Sequence, residues 1–203
     1  MYATYLQRNF KPQTTSPMKN LLILLSLLCL TLSLNAQQLQ PATVKAVHDG
    51  DSYKLSFADA QKPDSAVWVR LYGIDAPEVR FPGVIPFDQP YGRAAADSVR
   101  QLIKGQTVLV KYRYTDMYER PVCEIFFTVK NLEQATDTID LAQYIVLKGW
   151  AWYRTERKNT KGNNLLKNIQ AYAKEQKVGL WGLAGRAVKP ETFRKKFRVR
   201  GNG

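Results

Sequence analysis

At 203 residues the chain fits one domain with extensions better than two full domains, and it is long enough to bury a real core. Thirty Lys and Arg face 17 Asp and Glu, a formal +13 at pH 7, which points to a polyanionic partner attracted by counterion release and long-range steering. Of the two cysteines one lies in an N-terminal apolar run, which excludes a disulfide framework and leaves Cys123 as a small core residue rather than a nucleophile.

Met18-Lys19-Asn20 precedes the apolar run LLILLSLLCLTLSL (residues 21–34) and then Asn35-Ala36-Gln37. A short apolar stretch behind a basic start is too brief for a comfortable membrane span. Residues 1–36 therefore read as a leader and secretory signal cleaved near Ala36, giving a secreted or periplasmic protein without stable membrane association. A retained N-terminal anchor is the alternative, and Met18 is a second candidate start. Leu28 before Cys29 is larger than lipoprotein processing prefers. Losing residues 1–36 removes Arg8, Lys11 and Lys19 and no acid, so 27 basic residues still face 17 acidic ones, about +10 overall.

Beyond the linker QQLQPA, the segments TVKAVH (43–48), SYKLSFA (52–58) and SAVWVRLYGI (65–74) alternate in the manner of strands, with Gly50 and the polar DAQKPD as turns between them. AAADSVRQLI (94–103) places Ala95, Val99, Leu102 and Ile103 on one helical face, and Gly105 stops it. Two more strands, TVLVKYRY (107–114) and PVCEIFFTV (121–129), follow. The pattern then predicts a helix capped by Thr138 and running through Leu147, and a last one over 163–177 with Leu166, Ile169 and Ala173 inward. Five strands interrupted by a helix, with three helices in all, match an α+β fold built on the five-stranded Greek-key barrel of the OB type, a common nucleic-acid platform. That domain spans 37–185. Residues 186–203 read as a basic tail, expected to be mobile and to add non-specific attraction for phosphates.

The chemistry-bearing residues are acids and arginines. Asp49 and Asp51 flank Gly50 at a tight turn, and Asp75 closes the third strand just before Ala76-Pro77-Glu78. Were those strands neighbours, the carboxylates would meet at one rim of the barrel and repel one another without a cation among them. Donors that are all oxygen favour a hard ion, Ca²⁺ or Mg²⁺, over zinc, and the Ala76 carbonyl could join them while Glu78 faces a nearby water. His48, the only histidine, cannot make a zinc site alone and suits packing or the surface. Arg70 sits in the strand-like VRLYG, where a guanidinium is costly unless an anion pairs with it, and Arg120 follows Asp116 in YTDMYER. Either arginine has a plain reading, a structural ion pair or an exposed turn residue. Paired guanidiniums can also hold two oxygens of a phosphorane at once.

VKAVHDGDSYKL, VRLYGIDAPE, YTDMYERPV and QKVGLWG are similar in sequence, order and spacing to the staphylococcal nuclease, or thermonuclease, family, from about Thr43 to Trp181. The resemblance implies a Ca²⁺-dependent enzyme that hydrolyses DNA and RNA with little sequence specificity, leaves 3′-phosphate ends and acts as a monomer. It implies Asp51 and Asp75 as direct calcium ligands with the Ala76 carbonyl, Asp49 acting through water, and Glu78 as general base. Arg70 and Arg120 would grip the scissile phosphate, with Tyr118, beside Asp116, along the nucleotide pocket and Tyr153 as a more distant contact. Arg70→Ala, Arg120→Ala and Glu78→Gln should then cut turnover without disturbing the fold. Ser52 replaces the usual threonine, and Glu119 stands where the family has glycine, which puts the approach of Arg120 in question. A non-catalytic OB-fold nucleic-acid-binding protein is the second reading, disfavoured because none of these acids or arginines is missing.

Overall fold

A computed structural model of the chain describes residues 39–57, 66–130, 136–156, 163–183 and 185–199. The leader, the apolar run and the expected cleavage point at Ala36 lie outside the described residues. Strand β1 (Gln40–Asp49) and β2 (Ser52–Phe57) form an antiparallel hairpin in which Asp49 pairs with Ser52, leaving Gly50-Asp51 as a two-residue turn. β2 pairs in turn with β3 (Val67–Leu71). Gly73, at φ +80, then breaks the expected third strand and starts the short β4 (Ile74–Asp75). Helix α1 (Gly92–Ile103) follows, and then β5 (Thr107–Thr115), β6 (Pro121–Lys130) and β7 (Thr136–Asp140). The chain continues through α2 (Leu141–Leu147), β8 (Trp152–Tyr153), α3 (Asn164–Glu175), a 3₁₀ turn (Gly179–Gly182) and α4 (Pro190–Phe197).

Strand order β3-β2-β1-β5-β6 is closed by a parallel pairing of β3 with β6, Arg70 opposite Val122 and Leu71 opposite Cys123. This is the closed five-stranded barrel of the OB type, with β7 added alongside β6. The inward sides of the strands supply Val44, Tyr53, Leu55, Val69, Leu71, Val110 and Ile125, all buried. Helix α1 turns Ala95, Val99 and Ile103 onto this core, as its spacing predicts, and α2 and α3 add Leu141, Ile145 and Leu166. Cys123 is buried and unpaired, and burial pushes its thiol up to about 12, the state of a packing residue. His48 packs edge-on against Trp68 and Phe81, with ring centroids 6.4 and 5.4 Å away.

The structure differs from the sequence expectation in three places. Thr138 does not cap a helix: it pairs with Thr128 in β7, and Asp140 caps α2 by accepting the Gln143 N–H at 3.0 Å. The run Thr136–Asp140 carries Thr136, Thr138 and Ile139, β-branched residues that pack well on a pleated surface, and the edge of β6 gives it a partner. Asp75 is separated from β3 by a turn, and β4 pairs with β8, Asp75 opposite Trp152, which fixes the acid between two elements distant in sequence. Finally, the 186–203 segment carries a fourth helix, α4, where a mobile tail was expected. Its buried Phe193 and its Phe197 pack on Phe87, with centroids 5.7 and 4.9 Å away.

Because Asp140 supplies the side-chain cap of a buried helix, Asp140→Ala is expected to lower stability by ~1 kcal/mol, read as a shift of the urea midpoint with an unchanged slope.

Candidate active site

The β1–β2 turn is shaped by close approach. A Cβ on Gly50 would lie 2.7 Å from that of Ala76, so only glycine lets the turn seat itself against the residue after Asp75. Tyr53 donates its hydroxyl to the Gly50 carbonyl at 2.6 Å, and Asp49 Oδ1 accepts the Asp51 N–H at 3.0 Å. Asp51 is thereby turned inward, 2 % exposed. Its Oδ2 accepts the Ala76 N–H at 2.9 Å, and its Oδ1 accepts Arg70 Nη1 at 3.0 Å and Ser52 Oγ at 3.1 Å.

Arg70 is the bridge. From β3 its Nη2 donates to Asp75 Oδ1 at 2.7 Å while Nη1 holds Asp51, so one guanidinium joins an acid of the β1–β2 turn to one of β4. Burial works against its charge, but Asp51, Asp75 and Asp49 outweigh that and hold its pKa above the ordinary value. Asp75 is also buried, yet the hydrogen bonds of Arg194 and the charge of Arg70 keep its carboxyl below the usual range. Asp49 has no ion pair among the described residues: burial, with the charges of Asp51 and Glu78, drives its carboxyl well above the usual value.

Glu78 is placed by the segment that leads into α1. Its N–H donates to Gln89 Oε1 at 3.1 Å, and its carbonyl accepts the Gln89 N–H at 2.8 Å. A Cβ on Gly92 would come within 2.2 Å of that carbonyl oxygen, so the helix can start here only on glycine. Burial raises the Glu78 carboxyl, with Asp51 and Asp75 adding to the rise and Arg194 opposing it.

The structure therefore brings Asp49, Asp51, Arg70, Asp75, Ala76 and Glu78 together at one rim of the barrel. Arg120 occupies the β5–β6 turn, where Asp116 Oδ2 accepts its Nε at 3.0 Å and its Nη2 at 2.8 Å, and its guanidinium lies 5.5 Å from the Tyr118 ring centre. Asp116 is thus spent on orienting Arg120, and Tyr118 stands exposed on the same turn. Arg194 on α4 and Arg198 just after its end reach Asp75 and Tyr118 respectively, which puts the β5–β6 turn on the carboxylate side of the barrel. Tyr153 is placed differently. It neighbours Asp75 through the β4–β8 pairing, but its hydroxyl bonds Thr155 and accepts the Asn163 N–H at 3.0 Å, tying down the start of α3.

Sequence reasoning missed Arg194, which donates Nη2 to Asp75 Oδ2 at 2.9 Å, Nη1 to Asp75 Oδ1 at 3.1 Å, and Nη1 to Glu78. It also missed Arg154, 3.8 Å from Asp75, and Gln89. Among the described residues no three acidic, histidine or cysteine side chains converge as ligands, and guanidiniums hold the oxygens of Asp75. The donor chemistry still fits a hard cation: Asp51 and Asp75 offer only oxygen and are drawn to one Arg70 guanidinium, and the residue after Asp75, Ala76, donates its N–H to Asp51.

The chain is similar to known proteins over most of this domain. The model of a family described as "Staphylococcal nuclease homologue" matches residues 68–182, a stretch that ends before α4. An "Uncharacterized endonuclease" of Escherichia coli O157:H7 is 35 % identical over 138 residues, 68 % of this chain and 74 % of that protein. A "Probable endonuclease LCL3" of Yarrowia lipolytica is 31 % identical over 132 residues, 63 % of this chain and 54 % of that one. The "Staphylococcal-like nuclease CAN1" of Arabidopsis thaliana is 27 % identical over 145 residues, 71 % of this chain and 38 % of its own.

Glu119 sits at φ 59 in the turn before Arg120, a left-handed conformation that strains any side chain. Glu119→Gly relieves that strain at the cost of a looser unfolded chain, and the net gain in stability is expected to reach about 1 kcal/mol by urea denaturation.

Proposed function

Since the chain belongs to the family of staphylococcal nuclease homologues, and is on that ground a nuclease acting on nucleic acid, we propose that it is a calcium-dependent enzyme that cleaves both DNA and RNA with little sequence preference and leaves 3′-phosphate ends. The observation that carries this reading is the Arg70 guanidinium held between Asp51 and Asp75, with Glu78 beside them.

Asp51, Asp75 and the Ala76 carbonyl are the residues that would hold the ion. A bound Ca²⁺ supplies Lewis-acid charge that offsets the negative charge growing on the phosphate. The protein's own residues do the rest. Arg70 and Arg120 present forked N–H groups to two phosphate oxygens, a match in geometry that lysine cannot make. Glu78, whose basicity is raised by burial, takes a proton as water adds to phosphorus. The bond to the 5′ oxygen breaks, that oxygen gains a proton, and the phosphate stays on the 3′ end. Tyr118, exposed beside Arg120, offers a ring face to a base or sugar. The excess of basic residues across the whole chain draws the polyanion in.

The apolar run at residues 21–34 behind Lys19 supports export, with cleavage near Ala36. A monomer suffices, since one chain carries every residue named.

Arg70→Ala is a poor test of chemistry, because it leaves the buried Asp51 without its ion-pair partner and takes one of several from Asp75, and it is expected to cost ~3–5 kcal/mol of stability, contrary to the sequence expectation of an undisturbed fold. Arg70→Lys keeps the charge and loses the fork. Incubated with supercoiled plasmid or RNA, the wild-type chain is expected to cut both in calcium and neither in chelator. Products should become extendable by polymerase only after phosphatase treatment. Arg70→Lys and Arg120→Ala should lower turnover by ~10²–10³, and Glu78→Gln by ~10²–10⁴. Full activity in chelator, or wild-type turnover in Glu78→Gln, would overturn the mechanism.

A further inference from the structure

Arg194 takes both oxygens of Asp75 and one of Glu78. These are atoms that a cation and a proton acceptor must have free. We propose that α4 is a strap over the active site, and that docking of Arg194 and loading of the site with a divalent cation and phosphate exclude one another. This rests on the nuclease reading above and goes beyond it, because α4 lies outside the stretch that matches the family.

How the helix is fastened suits a device that lets go. Its anchors lie away from the barrel interior: Phe193 and Phe197 on Phe87, Val199 N–H to the Val84 carbonyl at 3.0 Å, and Gln89 Nε2 to the Val188 carbonyl at 2.6 Å. Arg198 Nη1 reaches the Tyr118 hydroxyl at 3.3 Å and its guanidinium lies 5.7 Å from the ring centre, so the chain after α4 contacts the tyrosine proposed to face a nucleotide. A helix of eight residues does not hold its shape alone in water, so α4 stays folded only while these contacts last.

Charge sets the direction of the switch. A divalent ion brings twice the charge of a guanidinium to the same oxygens. An arriving phosphate backbone would draw Arg194 off the carboxylates, helped by Lys195 and Lys196 on the helix and Arg198 just after it, with Glu191 the only acid of the helix. Thermodynamic linkage makes this reciprocal: whatever loosens α4 must tighten cation binding by the same factor.

The test uses the full chain, Arg194→Ala and Phe193→Ala, the second variant leaving every charged group in place. Calcium binding is measured by calorimetry, and helix release by chymotryptic cleavage after Phe197, a site that both variants keep. Both variants are expected to bind Ca²⁺ more tightly, by about 5- to 150-fold, and Ca²⁺ should speed that cleavage in the wild type. Plasmid cutting by Arg194→Ala should reach half its maximum at lower calcium. Unchanged affinity in both variants, with α4 equally protected with and without Ca²⁺, would overturn the strap. So would a loss of turnover at saturating calcium in Arg194→Ala without a change in affinity, which would make Arg194 a phosphate-gripping residue. If affinities and proteolysis shift as expected while no form cuts plasmid or RNA, the strap stands and the nuclease mechanism falls.

Discussion

A guanidinium buried at the barrel rim can persist only if carboxylates pair with it, and two buried carboxylates can stay charged only beside such a partner. Arg70, Asp51 and Asp75 satisfy one another in this way, and they do so across three pieces of backbone: β3, the β1–β2 turn and β4. The rest of the site leans on that triangle. Ala76 is fixed because its N–H donates to Asp51, and Gly50 is needed because the turn sits against Ala76. Glu78 follows two residues later, with its carbonyl pressed against Gly92 at the start of α1. Fold and site share the same atoms, so a change that damages one damages the other.

Charge balance then explains the outer shell. Asp49, Asp51, Asp75 and Glu78 crowd one rim, and Arg70 answers only part of their charge. The protein meets the remainder in two ways. Asp49 is pushed toward its neutral form by burial and by its neighbours, and Arg194 swings in from the far end of the sequence to sit on Asp75 and Glu78. With Arg194 withdrawn the rim is short of positive charge and suited to receive a divalent ion, so the arginine at those oxygens is the natural competitor.

Much of this was legible in the residues. The three leading strands showed because alternation and a two-residue turn dictate a hairpin, and the Asp-Gly-Asp turn and the Arg70-to-Glu78 segment carried the site because their spacing is short and local. Helix α1 showed because Ala95, Val99 and Ile103 repeat at helical spacing. The start of α2 did not, because Thr138 and Asp140 are both good caps and only the free edge of β6 decides that Thr138 belongs to a strand. Local signals for α4 existed: Pro190 at its first turn, Glu191 paired with Lys195 at 2.8 Å, and Phe193 and Phe197 four apart. Its apolar partner Phe87, however, sits in a proline-rich loop whose shape no periodic pattern gives, and Arg194 reaches acids 116 and 119 residues away. Glu119 showed as a departure from the family's glycine, but its left-handed backbone is a fact of the folded turn.

The acids at the rim are held to be a cation site kept closed by an arginine from the chain's own end. Diffraction from crystals of the full chain soaked with Tb³⁺ in place of Ca²⁺ addresses this directly, since the lanthanide scatters anomalously. The expected map has one strong anomalous peak between Asp51 and Asp75, with the Arg194 guanidinium withdrawn from both Asp75 and Glu78. A map with Arg194 still bonded to Asp75 and no peak at the rim, at a lanthanide concentration that saturates binding in solution, would contradict it.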